Sequence, residues 1–307
     1  MKILIAAGEV VPFAKTGGLA DVAGALPKAL FKLGMDVRVV MPKYGSISES
    51  KFGLRDLGEI RIPMGEGRET AMVKSCEIPG TDIPVYMIGN DKFYNRPQLY
   101  RTAEGDYPDN AERFIFFSRA VMEMFPFVKW SPDVIHCNDW QTGLIPAYIK
   151  TVYGGTQFGN IATVFTIHNI AYQGMYPKDL MPLTGIPWSE FTPDKMEFYD
   201  HINLLKAGLV YTDVASTVSP TYSQEVQANN EYGRGMEGLL RHRAKDFHGI
   251  VNGIDYDEWS PRTDKFLAPN NFDLATIRQK KKVKRVLQKE NNLPGYEDVP
   301  LIGMISR

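Results

Sequence analysis

The chain has 307 residues, of which 44% are hydrophobic and 23% charged; this excludes a disordered polyelectrolyte and allows one large folded domain or two ordinary ones. Thirty-five basic against 36 acidic side chains leave a formal charge of -1, so no overall field gathers nucleic acid or an anionic membrane as a partner. The apolar start at Ile3 halts at Gly8-Glu9, no later apolar run reaches the ~18 residues of a membrane helix, and Cys76 and Cys137 supply neither a disulfide framework nor four zinc ligands, so a cytoplasmic protein is expected.

Lys2 to Ala7 has the short apolar run of a buried parallel strand. Asp21 to Leu33 then carries Val22, Leu26, Leu30 and Leu33 at helical spacing, Gly34 supplies the stop, and Val37 to Met41 begins another strand. Between about 57 and 90, Pro63, Gly65, Gly67, Pro79-Gly80 and Pro84 punctuate short β-like segments, which predicts a hairpin-rich insertion or sheet edge. Apolar runs at 133–137, 161–167, 214–218 and 248–251 alternate with predicted helices near 110–125, 141–150, 203–211 and 219–228. This alternation predicts an α/β fold with a doubly wound, mainly parallel sheet holding Lys2–Ala7, Val37–Met41, Val134–Cys137, Ile161–Ile167, Val214–Val218 and His248–Val251. From Ser260 the chain becomes loop-like, Asp273 to Lys289 reads as a polar helix whose Lys280-Lys281-Lys282 run is a solvated face, and Val299 to Ile305 has a buried-strand pattern.

Lys15-Thr16-Gly17-Gly18-Leu19 lies between the first strand and the first helix. Paired glycines let backbone N–H groups approach an anion, and the helix N-terminus adds partial positive charge. The loop is neither the dinucleotide fingerprint nor the Walker loop, which removes support for NAD and ATP chemistry. Other polar groups stand at strand ends: His136-Cys137-Asn138-Asp139-Trp140, His168-Asn169, Ser219-Pro220 and Asn252-Gly253. In open parallel sheets ligands bind beyond the carboxyl ends of strands, so these segments are expected to converge with the glycine loop on one crevice. A carboxylate, an imidazole, an amide and an indole together suit the hydroxyls and apolar face of a sugar. Each also has a plainer explanation: a turn at the glycines or at Asn252-Gly253, a helix cap for Asp139, a backbone bond for His168, core packing for Trp140. None of the histidines 136, 168, 201, 242 and 248 forms a zinc-protease pair, and there is no Gly-x-Ser-x-Gly elbow. Asp139, Glu9 and Asp21 leave a glycosidase open as a lesser alternative.

Met1 through Leu4 to Glu9, Lys15 through Val22, His136 through Trp140, Phe165 through Asn169 with Tyr172-Gln173-Gly174, and Asn252 through Asp255 resemble, in order, the bacterial and plant glycogen/starch synthases. The resemblance implies a two-domain GT-B glycosyltransferase with a cleft between Rossmann-like halves, transferring glucose from ADP-glucose to the non-reducing end of an α-1,4-glucan with retention of configuration. It implies that Asp139 and His168 hold the transferred glucose as catalytic residues, and that Lys15, Gly17, Gly18, Asn252 and Arg307 bind the donor. Asp21, Tyr94, Trp140 and Asn169 would face the acceptor. No metal or other cofactor is implied, since ADP-glucose is a substrate. On this basis 1–260 is expected to be the amino-terminal, acceptor-side domain, 261–298 a linker with a helix, and 299–307 the first strand of a carboxyl-terminal domain that the sequence lacks. A non-catalytic glucan-binding module and another GT-B glucosyltransferase are the alternatives.

Overall fold

Nine strands make one sheet: β1 (Lys2–Ala6), β2 (Asp36–Pro42), β3 (Arg55–Met64), β4 (Gly67–Glu77), β5 (Pro84–Gly89), β6 (Val134–Asn138), β7 (Ala162–Ile167), β8 (Val214–Thr217) and β9 (Phe247–Gly249). The structure is a computed structural model describing residues 1–304. In space the strands run β9-β8-β7-β6-β1-β2-β5-β4-β3. Every neighbouring pair from β9 to β5 is parallel, and β4 and β3 close that edge antiparallel. All six apolar runs singled out in the sequence therefore share one sheet.

The apolar residues of β1 are buried because a strand flanked on both sides, with helices over its faces, exposes neither face to water. Helix α1 (Gly18–Lys32) begins three residues before the expected Asp21, straight out of the glycine pair. It ends as its sequence dictates: Gly34 takes φ 81° and its amide bonds to the Phe31 carbonyl at 2.9 Å. Helix α2 (Asn110–Val128) is buried over most of its surface, which explains its run of Phe114, Ile115, Phe116 and Phe117. Shorter helices α3 (Leu144–Lys150), α4 (Leu204–Tyr211) and α5 (Pro220–Ala228) return the chain between the later strands.

Of the two forms expected for 57–90, a hairpin-rich insertion or a sheet edge, the structure has the second: the segment forms one edge of the main sheet. Strands β3 and β4 form a hairpin around Gly65-Glu66, with Gly65 at φ 59°, and β5 pairs parallel with β2. Pro84 read as a breaker, yet a proline fits the first residue of a strand, where the ladder does not need its N–H.

The chain winds outward from β1 to β2 and β5 in one direction, then resumes at β6 on the other side. That reversal opens a crevice between the carboxyl ends of β1 and β6. No helix among the described residues is long and apolar enough to cross a membrane.

Met1–Gly253 forms one compact unit and the residues from Ile254 another. The second unit carries helix α6 (Lys280–Glu290), which starts later than the expected Asp273 because 277–279 forms a single 3-10 turn. Within it Lys284 donates to the carbonyls of Glu297 and Val299, and Arg285 pairs with Glu297. Residues 299–304 have no ladder partner and form no strand; the rest of that expected strand, with Arg307, lies outside the described residues.

Candidate active site

Beyond β1 the chain makes a loop that returns onto a buried carboxylate. Glu9 is 2% exposed and accepts from the Thr16 amide at 2.6 Å, the Thr16 hydroxyl at 2.7 Å and the Gly17 amide at 3.1 Å. Burial raises its pKa, and these bonds pull the other way. Close approach holds the loop against α1: a Cβ at Gly24 would meet the Val11 carbonyl oxygen at 2.5 Å. On the outer side Lys15 Nζ reaches Asp21 Oδ1 at 2.7 Å, with the side chains 46% and 38% exposed. A pair so wetted contributes at most about 1 kcal/mol, so either partner can be exchanged for a ligand group at little cost. The residues assigned separately to donor and acceptor thus lie side by side.

At the ends of β6 and β7 the polar groups are tightly bound. Asp139 is buried, with φ 55° and ψ −179°, a region that side-chain-bearing residues rarely enter. The conformation lets Oδ1 accept the His168 amide at 2.7 Å, with the Asn169 amide also bonded to the carboxylate. The carboxylate does not cap the following helix. Burial, reinforced by the nearby charge of Glu9, pushes the Asp139 carboxyl up to about 7.

His168 Nε2 lies 2.9 Å from Asn138 Oδ1. The Asn138 Nδ2 faces two carbonyls, Ala6 at 3.1 Å and His136 at 3.2 Å, so its oxygen must be the atom facing the imidazole. His168 therefore donates from Nε2 and keeps the Nδ1 lone pair, which has no partner among the described residues. Behind it His136 Nε2 bonds Thr166 Oγ1 at 2.6 Å, and Thr166 bonds Ser216 at 2.7 Å, tying β6, β7 and β8 together. Burial lowers both imidazoles from 6.5 to about 4. Because unfolding then takes up protons, these two groups should make stability fall as the pH drops from 6.5 toward 4. NMR titration should find both ring proton shifts flat through pH 6.5; a step there in either ring would contradict the neutral assignment.

The remaining expected residues divide by exposure. Asn169 is exposed, its Oδ1 accepting from the Ala171 amide at 3.0 Å, and Asn252 is exposed beyond β9. Gly18 is also open: a Cβ there would meet nothing within 4 Å. Tyr94 and Trp140, expected to face an acceptor, are core residues. Tyr94 is 0% exposed and donates to the Arg113 carbonyl at 2.8 Å. Trp140 packs on Phe114, Tyr176 and Tyr100 with ring centroids 4.7, 6.1 and 6.4 Å away. Neither offers a ring face to a sugar. An exposed aromatic beyond the end of β7 is Tyr172, at 59%, which the sequence placed in a motif without a role. Asn138 likewise stands in a strand-end motif without a role of its own; its adjacency to Asp139 was the available signal. Among the described residues no three His, Cys, Asp or Glu side chains are placed to hold a metal ion.

A parallel sheet whose winding reverses at β1, with polar side chains gathered at its carboxyl edge, is the Rossmann-like half of a GT-B glycosyltransferase. Residues 2–242 match the starch synthase catalytic domain, and the chain belongs to that family. It is similar to the glycogen synthase of Moorella thermoacetica, 45% identical over 309 residues covering 100% of this chain and 61% of that protein. It is also similar to the glycogen synthase of Desulforudis audaxviator, 46% identical over 320 residues and covering 62% of that protein. The chain thus spans about three fifths of the length of these curated relatives. Among solved structures it is similar to the catalytic domain of starch synthase IV from Arabidopsis thaliana bound to ADP and acarbose. That match has a TM-score of 0.84 and 33% identity, covering 94% of this chain and 58% of the other. Family membership disfavours both the glucan-binding module and another GT-B glucosyltransferase.

Proposed function

We propose that this chain is the amino-terminal half of an ADP-glucose-dependent glucan synthase, which breaks the bond between glucose C1 and the diphosphate and joins C1 to the terminal 4-hydroxyl of an α-1,4-glucan, with retention. The observation that carries this is the coupled set at the β6 and β7 ends: a buried carboxylate on two backbone amides beside an imidazole with one free lone pair. Asp139 and His168 are the groups assigned to the transferred glucose. Neutral His168 would accept a sugar hydroxyl at Nδ1, and the Asp139 charge would favour the positive character that develops at C1 as the diphosphate leaves.

Lys15, Gly17, Gly18 and Asn252 are assigned to the donor, with Arg307 for its phosphates, and Asp21 and Asn169 to the acceptor. Tyr172 takes the place of Tyr94 and Trp140 as the sugar-stacking ring, supported by its exposure. The additional length of the relatives is proposed to supply the remaining nucleotide contacts, and no cofactor is required. A cytoplasmic location is supported by the free thiols of Cys76 and Cys137.

Gly18→Ala tests the donor assignment. The added methyl meets no protein atom, so the melting temperature should hold, whereas a donor lying over the loop would clash with it. In a protein extended to the length of its relatives, KM for ADP-glucose should rise about tenfold, the effect of losing roughly 1.4 kcal/mol of binding. An unchanged KM would move the donor elsewhere.

A further inference from the structure

We infer that Glu9 is a positioning residue for the donor: it fixes the lysine-glycine loop by taking the Thr16 and Gly17 amides for itself, so that an incoming diphosphate meets the next amides, those of Gly18 and Leu19. This rests on the reading that the loop receives the donor.

Three donors from two consecutive residues converge on the one carboxylate, at 2.6, 2.7 and 3.1 Å, and the Ala20 amide in the first turn of α1 joins them. The carboxylate lies beneath the loop, and no Lys or Arg pairs with it among the described residues. Burying a charge is unfavourable unless hydrogen bonds replace its water, and here the loop itself provides them. The loop is held in place by the same bonds that favour the charged form of the carboxylate against its burial. Two consequences bear on a ligand. The amides of Thr16 and Gly17 are saturated and turned inward, so they cannot serve the phosphates, and the part of Gly17 in the donor site is its missing side chain and not its N–H. The amides of Gly18 and Leu19, in the first turn of the 15-residue α1, have no acceptor within that helix or elsewhere among the described residues. A buried negative charge below the loop also repels a second anion, which sets how deeply a diphosphate can descend.

Glutamine at position 9 keeps one acceptor oxygen but turns an amide N–H toward either the Thr16 donors or the Gly17 amide, so the loop must shift although the volume is unchanged. The experiment compares Glu9→Gln, Thr16→Val and Lys15→Ala in the protein extended to the length of its relatives, with ADP-glucose and maltohexaose as substrates. Glu9→Gln should raise KM for ADP-glucose at least tenfold and leave KM for maltohexaose within twofold. Thr16→Val, which removes the hydroxyl bond to Glu9 and keeps the amide bond, should give a smaller change in the same direction. A role confined to stability would lower the melting temperature without separating the two KM values.

Should Lys15→Ala raise the donor KM while Glu9→Gln leaves it unchanged, the positioning role is overturned and the donor reading stands. Should neither variant alter it, the donor reading fails and the inference with it. If Glu9→Gln does not fold, hydrogen exchange on the unaltered chain decides: the Thr16 and Gly17 amides should exchange at least ~100-fold more slowly than those of Gly18 and Leu19. Equal rates would overturn the inference.

Discussion

Arg113→Met should lower the unfolding free energy by about 4 kcal/mol in urea titration, since three buried acceptors lose their donor at roughly 1–3 kcal/mol each and the methionine recovers part of this by apolar packing. Arg113 is 0% exposed at the base of α2. Its guanidinium donates to the Phe93 carbonyl at 2.7 Å, the Leu99 carbonyl at 2.8 Å and Asn110 Oδ1 at 2.6 Å, and it lies over the rings of Tyr94, Tyr107 and Phe114. These bonds pin the 93–99 segment, which carries Tyr94, to the helix. Arg113→Lys should recover little, because a compact ammonium cannot reach three acceptors that the planar fork spans. A loss below about 1 kcal/mol for Met would show that the segment finds other donors or water.

Asp139→Asn should move stability and turnover in opposite directions. In a protein extended to the length of its relatives, kcat should fall about 10²–10³-fold, the size of effect seen when one preorganised charge-stabilising group is removed. Stability should rise at about pH 8, because the charged form is disfavoured by burial. The sign follows from the raised pKa: between 3.8 and about 7 the folded state holds a proton that the unfolded chain has lost, so stability drops as the pH rises through that window. The full shift corresponds to at most about 4 kcal/mol, and the bonds that asparagine retains make roughly 1–3 kcal/mol the expected gain. Denaturant titration at about pH 5 and about pH 8 should show the gain at the higher value only. A variant that is less stable at both would mean that the carboxylate's bonds to the His168 and Asn169 amides outweigh its desolvation.

The sheet was legible because its strands are apolar on both faces, and residues such as Ile3, Leu4 and Ile5 have no other way to leave water. The order of the polar motifs was legible for a related reason. Once the parallel strands are identified, their carboxyl ends fix which loops share an edge, and Glu9, Asp139, His168 and Asn252 all follow such ends. The stop of α1 at Gly34 needed only local backbone sterics.

Local pattern could not tell an exposed aromatic from a buried one. Tyr94 and Trp140 were assigned to a sugar, yet their rings are covered by α2 and its neighbours, while Tyr172, three residues past an exposed Asn169, stands in solvent. The pairing of Lys15 with Asp21 and the saturation of the Gly17 amide by Glu9 are likewise contacts that spacing does not contain. The sequence by itself determined which segments form the sheet and which polar residues stand at its carboxyl edge, because both follow from the periodicity of one strand at a time. Tertiary structure alone decided which of those residues are open to a ligand, how their protons are held and which amides are already taken, because each depends on groups brought together from distant parts of the chain.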